Sequence, residues 1–326
     1  MQTTRTIPVR CSSRLLFGGL AALIANSAVR AADAAPDAAV GARLYPPVMP
    51  EARAEVYKSV DATKLKLYIF DPKNHSATNR SPAIVFFFGG GWTSGSPQQF
   101  EKQCQYLASR GMVAITADYR VASRHQVKPA QCVEDARSAI RWVRQNAAKL
   151  GVDPNRIVAA GGSAGGHLAG LIAVAPDAAC AGEDSSISSI PDAAILFNPA
   201  LVLAPLDGQD FGKAGARLNS LRLGTEPEKI SPAHQVRAGA PPILIFHGEA
   251  DTTVPFPTSK AFAEKMKAAG NRCELVGFPD QAHGFFNYHP GNNRYFLETL
   301  TQADQFLASL GYLSGPSQVE AFFKKP

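Results

Sequence analysis

The stretch Arg156-Ile157-Val158-Ala159-Ala160-Gly161-Gly162-Ser163-Ala164-Gly165 decides the fold. An apolar run feeds a Gly-x-Ser-x-Gly turn, and small residues at helical spacing follow it, with Leu168, Leu171 and Ile172 on one face. A serine hydroxyl is a weak nucleophile until a sharp turn holds it clear of the backbone and beside a base. Gly161 and Gly165 permit that turn, where a Cβ would clash. The five letters alone are a weak signal. Set between a buried-type strand and a helix, they are a strong one.

Outward from the turn, strand and helix patterns alternate. Strand-like runs cover 54–60, 64–70, 83–88, 112–117, 156–160, 193–197, 242–246 and 273–278. Several are continuously apolar, as expected of strands covered on both faces of a mostly parallel sheet. Val133, Ala136, Ile140, Val143 and Ala147 share a helical face, as do Phe262, Met266 and Ala269, and Phe296, Leu300, Ala303, Leu307 and Leu310. The alternation predicts one doubly wound α/β domain of about eight strands over 53–312. Residues 201–240 mix Gly, Pro and charge and read as a candidate cap insertion. Residues 313–326 form a C-terminal tail that packs or frays.

The first 31 residues carry Arg5, Arg10, Arg14 and Arg30 and no acid. With the apolar stretch Leu15–Ala25 and the small residues after it, they read as a signal peptide that directs the chain to the periplasm or beyond. The apolar stretch is shorter than the roughly 20 residues a membrane span needs, so no stable membrane anchor is expected. Residues 32–52 read as a flexible leader. Without the first 31 residues the formal charge of +6 falls to +2, which gives no footing for nucleic-acid binding. Cys104, Cys132, Cys180 and Cys273 follow the signal. They fit either buried thiols or a disulfide, and no pair has zinc-ligand spacing, so no metal or cofactor is expected.

A serine nucleophile needs a base, an acid and donors for the oxyanion. His283 is the candidate base, on the loop after the last strand-like run, where catalytic groups of open α/β sheets gather. Asp251, after the run 242–246, is the candidate acid, with Glu249 and Asp280 as rivals. Phe88-Gly89-Gly90-Gly91-Trp92 offers bare backbone amides after a strand, and the amide of Ala164 adds another. A phosphate cradle is the competing use of such a loop, but neither Gly-Lys-Ser/Thr nor Gly-x-Gly-x-x-Gly spacing is present. His167 and His247 read as packed, hydrogen-bonded side chains. Asp118-Tyr119-Arg120 reads as a tie between loops. Trp92, Phe285 and Phe286 suit a pocket wall or the core equally.

The order Ser163, Asp251, His283 is that of α/β-hydrolases. On Phe88-Gly89-Gly90-Gly91-Trp92, Asp118-Tyr119-Arg120, Gly161 to His167, His247 to Asp251 and His283-Gly284-Phe285, the chain resembles the esterase/lipase family near the hormone-sensitive-lipase relatives. It is closer still to secreted bacterial esterases of acetylated or feruloylated xylan. The resemblance spans about residues 52–312. It implies a serine carboxylic-ester hydrolase with Ser163, Asp251 and His283 as triad and Gly90 and Gly91 as oxyanion donors. The expected substrates are short-chain or feruloyl esters, free or on polysaccharide. A prolyl-peptidase-like enzyme and a non-catalytic binding protein are the alternatives. Many relatives carry His-Gly-Gly-Gly, and Phe88 replaces that His here.

Overall fold

The computed structural model describes residues 45–209, 211 and 218–324. The strands are β1 (Arg53–Val60), β2 (Thr63–Phe70), β3 (Ser81–Phe87), β4 (Val113–Ala117), β5 (Val152–Gly162), β6 (Ala193–Phe197), β7 (Ile243–Gly248) and β8 (Cys273–Phe278). They form one sheet in the order β1-β2-β4-β3-β5-β6-β7-β8. β2 runs antiparallel to both neighbours, and β4, β3 and β5 to β8 are mutually parallel. The longer helices are α1 (Glu101–Ser109), α2 (Pro129–Gln145), α3 (Ala164–Val174), α4 (Phe256–Ala268) and α5 (Arg294–Ser309), with a short α6 (Val319–Phe323).

The unbroken apolar runs follow from two buried faces. Along β3, Ala83, Val85 and Phe87 enter a core shared with Val133 and Ile140 of α2, Leu168 of α3 and Phe262 of α4. Ile84 and Phe86 enter the opposite core with Leu107 of α1 and Leu300 of α5. Helix α3 has no solvent face, since every one of its residues is buried. Its small residues let it lie against the chain after β6: a Cβ on Gly166 would sit 2.9 Å from the Pro199 side chain.

β5 starts earlier than the apolar pattern suggests, because Val152 pairs with Ser81 before a register shift brings Ala83 opposite Ile157. The end of the leader is tied down rather than loose: Met49 is buried, and Tyr45 donates to Asp118 at 2.7 Å and lies under the Arg124 guanidinium. In the 201–240 segment, Leu201, Leu203, Leu206, Leu223, Ile230 and Ala233 join the core beside α3. The tail packs as well, with Val319 buried and Arg110 donating to the Ser314 carbonyl. The signal peptide expected over residues 1–31, and residues 32–44, lie outside the described residues. All four cysteines between 45 and 324 are free thiols, and three of them are buried. No helix among the described residues is long and apolar enough to cross a membrane.

The register aligns the carboxyl ends of the central strands. Phe87 pairs with Gly161, Gly162 with Phe197, Phe197 with Phe246, and Gly248 with Phe278. The segments that follow β3, β5, β6, β7 and β8 therefore emerge along one edge of the sheet.

Candidate active site

Ser163 is the first residue past β5 and adopts φ 53°, ψ −116°. A side chain at positive φ costs on the order of 1–3 kcal/mol, a strain that marks functional turns. It is held there from both sides: its N–H donates to the Phe197 carbonyl at 2.8 Å, and its carbonyl accepts from the His167 amide at 2.9 Å. The flanking glycines are required by close approach. A Cβ on Gly161 would stand 2.5 Å from the Gly165 carbonyl, and one on Gly165 would overlap the carbonyl of Phe87.

Asp251 follows β7 and His283 follows β8. His283 Nδ1 and Asp251 Oδ2 are 2.7 Å apart. The same oxygen accepts from Asn198 Nδ2 at 2.8 Å, and Oδ1 accepts from the Thr253 and Val254 amides at 2.8 and 2.9 Å. Burial opposes charge on Asp251, but hydrogen bonds from His247, His283 and the Val254 amide outweigh it. They hold the carboxyl well below the usual carboxylate range. An anionic Asp251 fixes the proton on His283 Nδ1 and leaves Nε2 as an acceptor. The rivals Glu249 and Asp280 are both exposed. His247 braces the acid loop, its ring contacting Ser259 Oγ at 2.7 Å and the Val254 carbonyl at 2.9 Å.

The His283 loop lies directly on the serine turn, since a Cβ on Gly162 would stand 2.6 Å from the ring of Phe286. Among the described residues the Ser163 hydroxyl makes no hydrogen bond, to His283 or to any other group. Such contacts are commonly long without substrate and tighten when it binds.

The glycine loop faces the same turn. Gly89 gives its N–H to Gln99 Oε1 at 2.7 Å. The amides of Gly90 and Gly91 find no acceptor among the described residues. Ala164 contributes the first of the N–H groups that α3 leaves unpaired. Gly90 has φ 122°, and a Cβ there would overlap the Ser94 carbonyl. Phe88, which stands where relatives carry His, braces the loop by packing. It stacks on Tyr119 with ring centroids 4.1 Å apart, and the Tyr119 hydroxyl donates to the Phe88 carbonyl at 2.7 Å. Asp118 and Arg120 are ties too, to the Tyr119 amide and to Asp135. Trp92 is core rather than wall: it is buried and gives its indole N–H to His167 Nδ1 at 3.2 Å. Phe286 is core, and half-buried Phe285 packs on Phe278.

Sequence reasoning missed Asn198, Gln99 and Asn287. Asn198 carries one signal, its position just past a strand in line with Ser163 and Asp251. Among the described residues no group of three or more His, Cys, Asp or Glu is arranged to hold a metal ion.

The BD-FAE family model matches residues 67–266, a stretch that includes Ser163 and Asp251. Esterase LipC of Mycobacterium tuberculosis is 31% identical over 219 residues, which is 64% of this chain and 54% of LipC. The chain thus spans about half the length of that relative. Two solved structures of esterase 2 from the planctomycete Thermogutta terrifontis share this fold. The enzyme phosphonylated by sarin is 57% identical with a TM-score of 0.81, and the propionate-bound enzyme is 58% identical with a TM-score of 0.79. Each alignment covers 83% of this chain and 99% of the esterase. On its sheet, its serine turn and these likenesses, the chain belongs to the BD-FAE family and has the α/β-hydrolase fold of these esterases.

Proposed function

We propose that this chain is a carboxylic-ester hydrolase that works through a serine acyl-enzyme and prefers short acyl groups. The observation that carries the reading is the 2.7 Å contact of Asp251 with His283, beside a serine in a strained turn at the end of β5. Ser163 Oγ attacks the ester carbonyl and passes its proton to His283 Nε2. The amides of Gly90, Gly91 and Ala164 donate to the oxyanion, each worth roughly 10²–10³ in rate. Collapse of the intermediate expels the alcohol, which takes the proton from His283. Water then gives a proton to His283 and attacks the acyl carbonyl; collapse breaks the bond to Ser163 Oγ, which takes that proton back from His283 as the acid leaves. Asp251 stays ionised throughout and stabilises the imidazolium at each stage.

Short acyl groups are favoured because Thermogutta terrifontis esterase 2 has been solved with propionate and with butyrate bound. Acetyl and feruloyl esters of plant polysaccharide are the finer reading, supported by the sequence resemblance. Export to the periplasm or beyond is supported by the pattern of residues 1–31. Cell fractionation with N-terminal sequencing checks it, and a chain found only in the cytoplasm with Met1 retained would overturn it.

The test is hydrolysis of p-nitrophenyl acetate, butyrate and octanoate and of methyl ferulate, with Ser163→Ala alongside. The expected result is turnover of acetate and butyrate above octanoate, with kcat lowered on the order of 10⁵–10⁶ in the variant. A loss below tenfold removes Ser163 from the chemistry. Preference for octanoate removes the short-acyl reading, and turnover of methyl ferulate extends it to feruloyl esters.

A further inference from the structure

We propose that Gln99 is a positioning residue that locks the glycine loop to the His283 loop and so sets the oxyanion donors and the base against Ser163 together. The inference rests on the ester-hydrolase reading above.

Gln99 lies in the 3-10 turn Pro97–Phe100 that leads into α1, and its side chain spans two loops. Oε1 accepts from the Gly89 amide at 2.7 Å, and Nε2 donates to Asn287 Oδ1 at 2.9 Å. Asn287 Nδ2 in turn donates to the Gly284 carbonyl at 2.9 Å. The two ends of this relay are backbone groups with fixed roles. The Gly89 N–H can only donate, and the Gly284 carbonyl can only accept. Both amides between them are thereby forced into one orientation, because flipping either sets donor against donor or acceptor against acceptor. The relay runs from the neighbour of Gly90 to the neighbour of His283.

The position of each end gives the relay its consequence. Gly89 touches the serine turn, since a Cβ there would lie 3.4 Å from Ser163 Cβ and 3.1 Å from the Gly162 carbonyl. With its N–H committed to Gln99, the peptide is fixed, and the next two amides, of Gly90 and Gly91, are the ones left for an oxyanion. At the far end, Asn287 closes the turn after His283 with a second bond, its amide donating to Gly284 at 3.0 Å. Oxyanion donors and general base have to be correct at the same moment, and misplacement by about 1 Å can cost 10²-fold in rate. A side chain that cross-links the two loops acts on kcat and leaves substrate binding nearly untouched.

The experiment is a double-mutant cycle of Gln99→Met and Asn287→Ala on the full chain, with p-nitrophenyl acetate as probe and Ser163→Ala as control. Met keeps the length of Gln99 and removes both hydrogen bonds. Each single variant is expected to lower kcat by about 10–10²-fold with KM within threefold. The double variant is expected to be no worse than the weaker single, because either change breaks the same relay. Circular dichroism checks the fold, and if Gln99→Met does not fold, the half-buried Asn287→Ala alone carries the kcat test. An unchanged kcat in the folded variants overturns the proposal, as does a loss carried by KM or losses that multiply in the double variant. If Ser163→Ala is inactive while Gln99→Met is unimpaired, the relay fails and the ester-hydrolase reading stands. If Ser163→Ala keeps wild-type activity, the ester-hydrolase reading fails and takes the relay's role with it.

Discussion

His167 is a buried group whose protonation the fold refuses, and the refusal is measurable. It is 0% exposed. The Trp92 indole N–H points at Nδ1 at 3.2 Å, so Nδ1 has to be an acceptor. Nε2 therefore carries the proton and donates to the Ile230 carbonyl at 2.6 Å. A second proton on Nδ1 would set donor against donor with the Trp92 N–H. Burial accordingly pushes His167 down to about 4, from an ordinary value of 6.5. Between those values the unfolded chain binds the proton and the folded chain does not, so stability is present above 6.5 and lost as pH falls. From pH 7 to pH 5 the two values give a loss of about 2 kcal/mol from this one side chain.

The test compares wild type with His167→Gln by urea unfolding at pH 7 and pH 5. At pH 7 the variant loses bonds and packing and is less stable by about 1–3 kcal/mol. At pH 5 that deficit is expected to shrink by about 2 kcal/mol, since Gln has no proton to refuse. An equal deficit at both pH values would refute the neutral, buried assignment. The comparison between chains is essential. Asp118 is pushed up to about 6 by burial, so its folded form holds a proton that the unfolded form releases. Its contribution is present below the ordinary carboxylate value and lost as pH rises through about 6, which offsets His167 in the wild type.

Asp251→Asn is expected to lower kcat by on the order of 10⁴ with the fold intact, because an amide no longer fixes the Nδ1 proton or stabilises the imidazolium. Glu249→Gln, at an exposed position, should stay within twofold, and steady-state kinetics in which Glu249→Gln is the worse of the two would transfer the acid role. Gly165→Ala forces a methyl into the Phe87 carbonyl and is expected to cost upwards of about 3 kcal/mol. Gly91→Ala meets nothing within 4 Å and pays only for its φ of 61°, about 1 kcal/mol. Thermal melts that rank these two the other way would show that the serine turn is not closely packed.

The elements legible in the sequence were those whose cause is local. A strand stretch buried on both faces has to be largely apolar, so β3, β6, β7 and the second half of β5 announce themselves in single runs. A turn with no room for a Cβ has to carry glycine, so Gly161 and Gly165 are visible before any partner is known. The strand-end rule points to Asp251 but admits Asp280 too, two residues past β8, and only burial and the contact with His283 separate them. The missed groups have causes elsewhere in the chain. Asn198 serves a carboxylate 53 residues away, and Gln99 meets its partner 188 residues away. Nothing adjacent to either residue differs from an ordinary polar position. The last residues of the leader show the same, since Tyr45 is held by Asp118, 73 residues on.

Phe88 shows how such distant causes change the reading of a motif. A His at this position would brace the glycine loop by a hydrogen bond, and its absence suggests a weaker loop. The loop is nevertheless held by groups that the motif does not contain. Tyr119 supplies both the ring against Phe88 and the hydroxyl on its carbonyl. Arg124 donates to the Gly95 carbonyl at 2.8 Å, and Gln99 takes the Gly89 amide. A backbone that carries its strained residues in succession, with positive φ at Gly90, Gly91 and Trp92, needs restraint on each side of them. Here the restraint is divided among a stacked aromatic pair, a guanidinium and a carboxamide, which leaves the amides of Gly90 and Gly91 free of partners within the loop. On the proposed reading those two amides carry the function of the motif, and position 88 is replaceable wherever the surrounding side chains take over its task.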